Sequence, residues 1–142
     1  MIERARVTEA LRVMVAAATG KPCGLGRLPV VDGEPASLPY TVLYPQGGSV
    51  GGAPLADAAE DAHLVYQVTV VAARTDQAEW LGDRVREAML GRSPTGAWMQ
   101  PLRAAGAPVW ARELLVDDGV DSSNAASGVV TAMQRFMLSL TS

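Results

Sequence analysis

Hydrophobic residues change their spacing within residues 63–91, from the period of a strand to that of a helix. Residues 63–73 are rich in Val, Tyr and Thr, which fit a pleated, half-buried surface. From residue 75 onward, apolar residues recur at helical spacing and form one stripe: Ala78, Leu81, Val85, Ala88 and Met89. A strand that leads directly into an amphipathic helix lets that helix pack back over the sheet. We therefore expect the rest of the fold to assemble on this unit.

Both ends of this helix carry recognisable signals. Thr75 or Asp76 can accept a hydrogen bond from a free N–H of the first turn, and Glu79 lies three residues beyond Asp76, as in a capping box. Gly91 stands where a left-handed residue would end the helix. The pattern predicts a helix over residues 75–90.

A second amphipathic helix is predicted from Met1 to Ala18, with an apolar stripe that includes Val7, Leu11 and Val15. Glycine and proline then interrupt residues 20–39 repeatedly. We interpret that stretch as a connector without elements of its own.

Tyr40 to Tyr44 is predicted to be a short strand, because proline flanks it on both sides, as at strand ends or on an edge strand. Residues 45–62 are predicted to be one long mobile loop. Residues 46–52 of it are glycine-rich, and residues 53–61 are small and acidic. A loop of this length in a compact domain is often functional or disordered.

The carboxyl-terminal part contains two further predicted strands. Residues 92–108 are expected to be a loop, with Trp98 to Gln100 as a candidate short strand. Val109 to Val116 is predicted to be a strand, Asp117 to Gly128 a polar turn region, and Val129 to Leu140 the closing strand.

The predicted order is helix, strand, strand, helix, strand, strand. It favours a single α+β domain that spans residues 1–142. In this domain, two main helices pack on a mostly antiparallel sheet of about four to five strands. The length of 142 residues and the hydrophobic fraction of 49% suit a chain that buries its own core.

Charge is distributed unevenly along the chain. The net charge of −3 argues against a dedicated nucleic-acid binder. Residues 1–28 hold five basic and two acidic side chains, whereas residues 29–63 hold five acidic side chains and no Lys or Arg. The acidic stretch is either a solvated face or a surface that must not hold a polyanion such as DNA.

Cys23 is the only cysteine, which excludes an intramolecular disulfide and a cysteine-rich metal cluster. We expect a reduced protein that is assembled inside the cell. Residues 1–18 carry scattered charges instead of an uninterrupted apolar segment, so we expect neither a signal peptide nor a membrane-spanning segment.

Motifs that carry chemistry are incomplete in this sequence. The run from Gly47 to Gly52 lacks the lysine and the following helix of a phosphate-binding loop. Asp117 to Asp121 has the acidic density of a calcium loop without its alternating ligands, so a polar hairpin turn is favoured. His63 is the sole histidine, and nothing fixes its geometry relative to Ser49 and Asp61 as a triad. We predict no catalytic residue, no metal ligand and no cofactor.

Trp80 lies at the edge of the apolar stripe of the helix over residues 75–90. Two interpretations stay open for it: partial burial against the sheet, or an anchor across a subunit interface, where Trp and Arg are enriched. Arg84 and Arg86 are either solvated, paired with neighbouring acids, or part of that interface.

A series of short motifs lies between residues 38 and 86. In order they are Leu38-Pro39-Tyr40, a glycine-rich loop with Leu55-Ala56-Asp57, Glu60-Asp61, the strand Tyr66-Gln67-Val68-Thr69-Val70, Gln77-Ala78-Glu79-Trp80-Leu81 and Asp83-Arg84-Val85-Arg86. This series resembles the tail terminator, or tail-completion, proteins of long-tailed bacteriophages, particularly those of actinobacterial hosts.

The resemblance implies a non-enzymatic structural protein of the virion that forms a homo-oligomeric, hexameric ring on the finished tail tube, at the neck end of the tail. Such a ring stops polymerisation of the major tail tube protein and presents a surface to the head–tail connector or stopper protein. Its subunits are assembled in the host cytoplasm, and no membrane takes part.

The resemblance also implies roles for particular residues. Trp80, Arg84 and Arg86 would lie at the subunit interface. The 45–62 loop would face the lumen or a neighbouring ring, and DNA would pass through that lumen without specific binding. The loop residues concerned are Gly47, Gly48, Asp57, Glu60 and Asp61. Two alternatives stay open: a neck adaptor of similar size, and a small ligand-binding or enzymatic α+β domain with a concave polar pocket.

Overall fold

A computed structural model describes residues 2–52, 60–102 and 109–141 of the chain. The helices are α1 (Arg4–Thr19) and α2 (Thr75–Leu90). The strands are β1 (Cys23–Leu25), β2 (Val30–Val31), β3 (Glu34–Pro35), β4 (Tyr40–Gly52), β5 (Glu60–Ala72), β6 (Val109–Asp121) and β7 (Val130–Thr141). Five strands form the main sheet in the order β1-β4-β5-β7-β6, with β1 parallel to β4 and the other pairs antiparallel. The α+β class predicted from the sequence is confirmed.

The core lies between the two helices and one face of this sheet. Tyr66 of β5 stands directly opposite Phe136 of β7 on that face, and both side chains are fully buried. Leu11 of α1 and Val85 and Met89 of α2 belong to the same buried cluster. Burial of each such side chain contributes about 1.5–3 kcal/mol. A one-residue slip of β5 against β7 would turn them to the other face of the sheet, so the register is strongly specified.

Both helices bury the faces that hydrophobic spacing predicts. All five stripe residues of α2 are buried, as are Val7, Leu11 and Val15 of α1. Thr8 lies on the same buried side of α1, and its hydroxyl bonds the Tyr66 hydroxyl at 2.9 Å. The polar end of the largest core side chain is thereby satisfied inside the core.

The predicted caps of α2 are wrong at both ends. The N-cap residue is Arg74, and no side chain caps the helix there. Asp76 instead accepts a hydrogen bond from Arg74 Nε at 3.1 Å. Gly91 is extended, with φ −61° and ψ 134°, so it is not left-handed. A Cβ at this position would lie 2.5 Å from the Glu87 carbonyl oxygen, so close approach to the helix, and not the φ angle, requires glycine here.

The predicted long loop over residues 45–62 is wrong at residues 45–52 and 60–62, which the structure describes as strands. β4 continues to Gly52 and β5 starts at Glu60, and only residues 53–59 between them lie outside the described residues. The strand passes Pro45 by means of a bulge between Pro45 and Gly48. Gly47 and Gly48 have φ of 82° and 152°. These angles suit glycine and allow the chain to rejoin the ladder beyond the proline.

Three other boundaries differ from the sequence prediction. The connector over residues 20–39 contains β1 and a small β2–β3 hairpin. β6 extends five residues beyond Val116, to Asp121, so the polar turn begins at Ser122. Trp98 to Gln100 forms no strand, and Trp98 makes a single bridge with Arg92.

Candidate functional site

The outer face of α2 carries the interface residues proposed from the sequence. Trp80 is 49% exposed, and the Arg84 guanidinium lies 4.9 Å from the centroid of its ring. Arg84 also approaches Glu87 at 3.9 Å. Such exposed pairs contribute little to stability. Trp80 is therefore only partly covered.

Arg86 behaves differently from Arg84. It pairs with Asp83 on its own helix at 2.9 Å and with Asp117 of β6 at 3.6 Å. The second contact ties α2 to the edge strand of the sheet. Within the described part of the chain, Arg86 thus pairs both within α2 and with β6, whereas Arg84 pairs with Glu87 on its own helix and lies over Trp80.

A second tryptophan–arginine group, which sequence analysis did not identify, lies beyond the carboxyl end of α2. The guanidinium carbons of Arg92 and Arg112 lie 3.9 Å and 4.6 Å from the centroid of the Trp98 ring. No carboxylate lies within ion-pair distance of either arginine among the residues that the structure describes. A sequence signal existed: residues 88–112 hold three arginines and no acidic residue.

Arg112 holds this group in place from β6. Its guanidinium donates to the carbonyl oxygens of Met89 at 3.1 Å, Ala88 at 3.4 Å and Gln100 at 2.7 Å. It therefore satisfies the last carbonyls of α2 and fixes the segment that follows the helix. Burial, and secondarily the nearby charge of Arg92, lower the pKa of Arg112 to about 10, so it remains a cation at neutral pH. Its Nε is buried and has no hydrogen-bond partner among the described residues.

A cavity of about 130 Å³ lies between these two tryptophan–arginine groups. Arg84, Glu87 and Ala88 of α2, Ala18 of α1, and Met99 and Gln100 line it. Met99 is 58% exposed at its rim. We name the set of residues Trp80, Arg84, Arg92, Trp98 and Met99 the Trp–Arg face; Arg84 and Met99 both line the cavity. Trp, Arg and Met are the residue types that protein–protein interfaces favour.

A second surface that sequence analysis did not identify is the connector arm, which we define as residues 25–38. Half of the large hydrophobic residues that are exposed in the described structure belong to it: Leu25, Leu28, Val30, Val31 and Leu38. Its tip is the β2–β3 hairpin, whose turn residues Asp32 and Gly33 have φ of 53° and 82°. Two successive positive φ angles at Asp-Gly match a type I′ hairpin turn.

The residues predicted to face the lumen are located at the end of the β4–β5 hairpin. Gly47 and Gly48 form the bulge of β4, and Asp61 is exposed on β5 opposite Gly51. Glu60 is the first residue of β5. Asp57 lies outside the described residues. The hairpin end is thus a paired ladder with few side chains, because four of the residues from Gly47 to Gly52 are glycine.

The hypothetical triad is not assembled. His63 Nδ1 shares a hydrogen bond with Ser139 Oγ at 2.9 Å, and its ring meets Trp110 edge-on at 6.4 Å. Ser49 lies opposite His63 in the strand register, but neither Ser49 nor Asp61 hydrogen-bonds to it among the described contacts. The histidine is held by a strand partner across the sheet.

The acidic run from Asp117 to Asp121 serves local structure. Asp117 accepts a hydrogen bond from the Gly119 backbone, and Asp121 accepts one from the Ser123 backbone. The Ser123 hydrogen bonds lower the pKa of Asp121. In the described residues no group of three or more His, Cys, Asp or Glu side chains is arranged to hold a metal ion. In the same residues, every helix is too short or too polar to cross a bilayer.

No protein-family model matches the chain, and no curated protein matches it. A chain in a solved structure described as "Virion of native gene transfer agent (GTA) particle" has the same fold, with a TM-score of 0.65 and 16% sequence identity. The alignment covers 98% of this chain and 94% of that chain. The similarity therefore extends over the whole α+β unit, including both helices and the main sheet.

Proposed function

We propose that this chain is a structural protein of a virion, and that it caps the end of a tail tube as a ring, the role of a tail terminator. One observation carries the proposal: nearly the whole chain shares its fold, at a TM-score of 0.65, with a chain of a gene transfer agent virion. The motif series between residues 38 and 86 supports the same assignment by resemblance. The protein acts by shape and contact, without catalysis.

A ring requires a head-to-tail contact, in which two different surfaces of one subunit meet. The chain has two surfaces of different composition, the Trp–Arg face and the connector arm. In the proposed assembly, six copies close into a ring that contacts the tail tube protein on one side and the head connector on the other. The subunits assemble in the host cytoplasm and end at the neck of the tail.

The end of the β4–β5 hairpin, with Gly47, Gly48, Glu60 and Asp61, faces the lumen or a neighbouring ring in this assembly, together with Asp57. The absence of Lys and Arg from residues 29–63 supports this orientation. Affinity for DNA comes largely from basic side chains that neutralise phosphates. A lumen lined by this hairpin would let DNA pass without retaining it.

The test is the length of tails made without this protein. In the phage or particle that encodes it, we expect deletion of the gene to give overlong tubes by electron microscopy, and expression from a plasmid to restore a single length. Adding the purified chain to polymerising tube protein should likewise stop growth. Tails of normal length that fail to join heads would refute the terminator role and identify a neck adaptor.

A further inference from the structure

The connector arm is an ordered surface that its own subunit leaves uncovered. Its base is fixed, because Gly26 N donates to the Leu43 carbonyl at 2.8 Å and Ala36 N donates to the Pro29 carbonyl at 2.9 Å. Its tip exposes Val30 by 60% and Val31 by 45%. Apolar side chains collected on one ordered segment mark an interaction site, whereas scattered ones need no explanation.

The tip also carries two acids without partners. Asp32 and Glu34 make no ion pair or side-chain hydrogen bond within the described residues, and both are exposed. The one basic residue of the arm, Arg27, lies near its base. The tip therefore combines two β-branched side chains with two negative charges.

The Trp–Arg face has the complementary composition. Arg92 is exposed and pairs with no carboxylate in residues 2–52, 60–102 and 109–141, and Arg112 is buried beside the same indole ring. The surrounding segment, residues 88–112, is free of acids, and Glu87, which lines the cavity, approaches Arg84 at 3.9 Å. The cavity of about 130 Å³ beside Met99 opens to solvent and has both apolar and polar walls, so it has room for a small side chain from a docking partner.

We propose that the connector arm of one copy docks on the Trp–Arg face of a second copy, with Asp32 and Glu34 against Arg92 and with Val30 or Val31 over the cavity beside Met99. This inference rests on the proposed ring and names its contact. The occupant is a second copy because a single chain carries both surfaces. The acidic, apolar tip of the connector arm complements the basic Trp–Arg face and its cavity. The two surfaces differ, so the contact is head-to-tail and can repeat until a ring closes.

Charge reversal tests whether Asp32 and Glu34 of one copy meet Arg92 of the next. Arg92→Glu, and the double change Asp32→Arg with Glu34→Arg, should each weaken self-association by about tenfold or more, because like charges then face each other. Combining all three changes should restore assembly. Arg74→Glu and Asp76→Arg are the matched controls, because they lie at the other end of α2, about 24 Å away along a helix of 16 residues. Analytical ultracentrifugation, with and without tube protein, measures the association, and circular dichroism confirms the fold of each variant.

A cysteine cross-link provides the second measurement. Cys23, the only native cysteine, is buried, so added cysteines are the reactive ones. A chain with Glu34→Cys and Arg92→Cys should oxidise into a ladder of covalent oligomers that ends at the size of the ring. Neither single variant should form that ladder. A head-to-tail contact brings position 34 of one copy to position 92 of the next, and does not bring two copies of the same position together.

The outcomes distinguish this inference from the proposed function. A wild-type chain that stays monomeric at high concentration and with tube protein overturns both. A ring that persists after either charge reversal, and forms no 34–92 cross-link, overturns the arm contact alone and leaves the ring in place. Loss of tube binding with the ring intact would instead make the arm a site for the tube protein, which also overturns the contact between copies.

Discussion

Three glycines of β4, at and near its bulge, differ in backbone φ angle and in the space available for a Cβ. We therefore predict that alanine at these positions lowers the free energy of unfolding by different amounts. A Cβ at Gly48 would overlap the His63 carbonyl oxygen and lie 2.9 Å from Leu64 Cα, and the residue has φ of 152°. Gly47 has φ of 82° and open space around it. Gly51 has no positive φ, and its nearest neighbour would be Asp61 O at 3.9 Å.

Alanine at these positions should therefore have effects that differ in size. Gly48→Ala combines backbone strain of about 1–3 kcal/mol with a clash against backbone that costs about 1–3 kcal/mol, so we expect a loss of about 3–4 kcal/mol. Gly47→Ala should cost the left-handed strain alone, about 1–2 kcal/mol. Gly51→Ala should change the free energy of unfolding by about 0.5 kcal/mol or less.

Urea denaturation followed by circular dichroism measures all three, and Gly51→Ala is the matched control in the same strand. A loss of 3–4 kcal/mol is a large part of the stability of a typical domain, about 5–15 kcal/mol. Equal effects of the three substitutions would refute the reasoning, since residues 46–52 would then behave as the flexible loop that the sequence suggested.

Two further predictions concern buried polar groups. Tyr66→Phe should cost about 1 kcal/mol at neutral pH through the lost hydrogen bond to Thr8. Burial raises the pKa of Tyr66 above its ordinary value of 10.0, so the unfolded chain loses this proton first. The wild type should therefore lose more stability than Tyr66→Phe as the pH rises above that value, since burial also raises the pKa of Cys23 in both chains. An equal stability difference between the two chains at pH 8 and at pH 10.5, measured by urea denaturation, would contradict this. Arg112→Met should cost about 2 kcal/mol, because two buried carbonyls and the part-buried Gln100 carbonyl lose their donor, and should change the Trp98 fluorescence. Arg74→Met is the exposed control, and equal melting temperatures would refute the role of Arg112.

The parts of the fold that follow from local spacing were predictable from the sequence. The stripe of α2 and the alternation along β5 and β7 are short-range patterns, and the structure buries those residues. The continuation of β4 beyond Pro45 was not predictable in this way. Gly47 and Gly48 look flexible in a sequence, whereas their positive φ angles are what a bulge requires.

The candidate site was predictable only in part. Trp80 and Arg84 are exposed on one face of α2, as an interface residue pair must be, although no contact with a partner tests that role. The group around Trp98 depends on Arg112, which comes from β6 and reaches back to α2. Contacts between segments so distant in the chain have no periodic signature. Likewise, His63 finds Ser139 only because β5 pairs with β7.

The dependence of the Trp98 segment on Arg112 has a consequence for synthesis on the ribosome. Residues 92–102 emerge before β6, and their anchor to the end of α2 is a side chain of β6 itself. A nascent chain that stops short of residue 112 lacks the three hydrogen bonds that Arg112 donates, although Met99 N can still donate to the Gly91 carbonyl. The full set of contacts around Trp98 therefore forms only after β6 has been made.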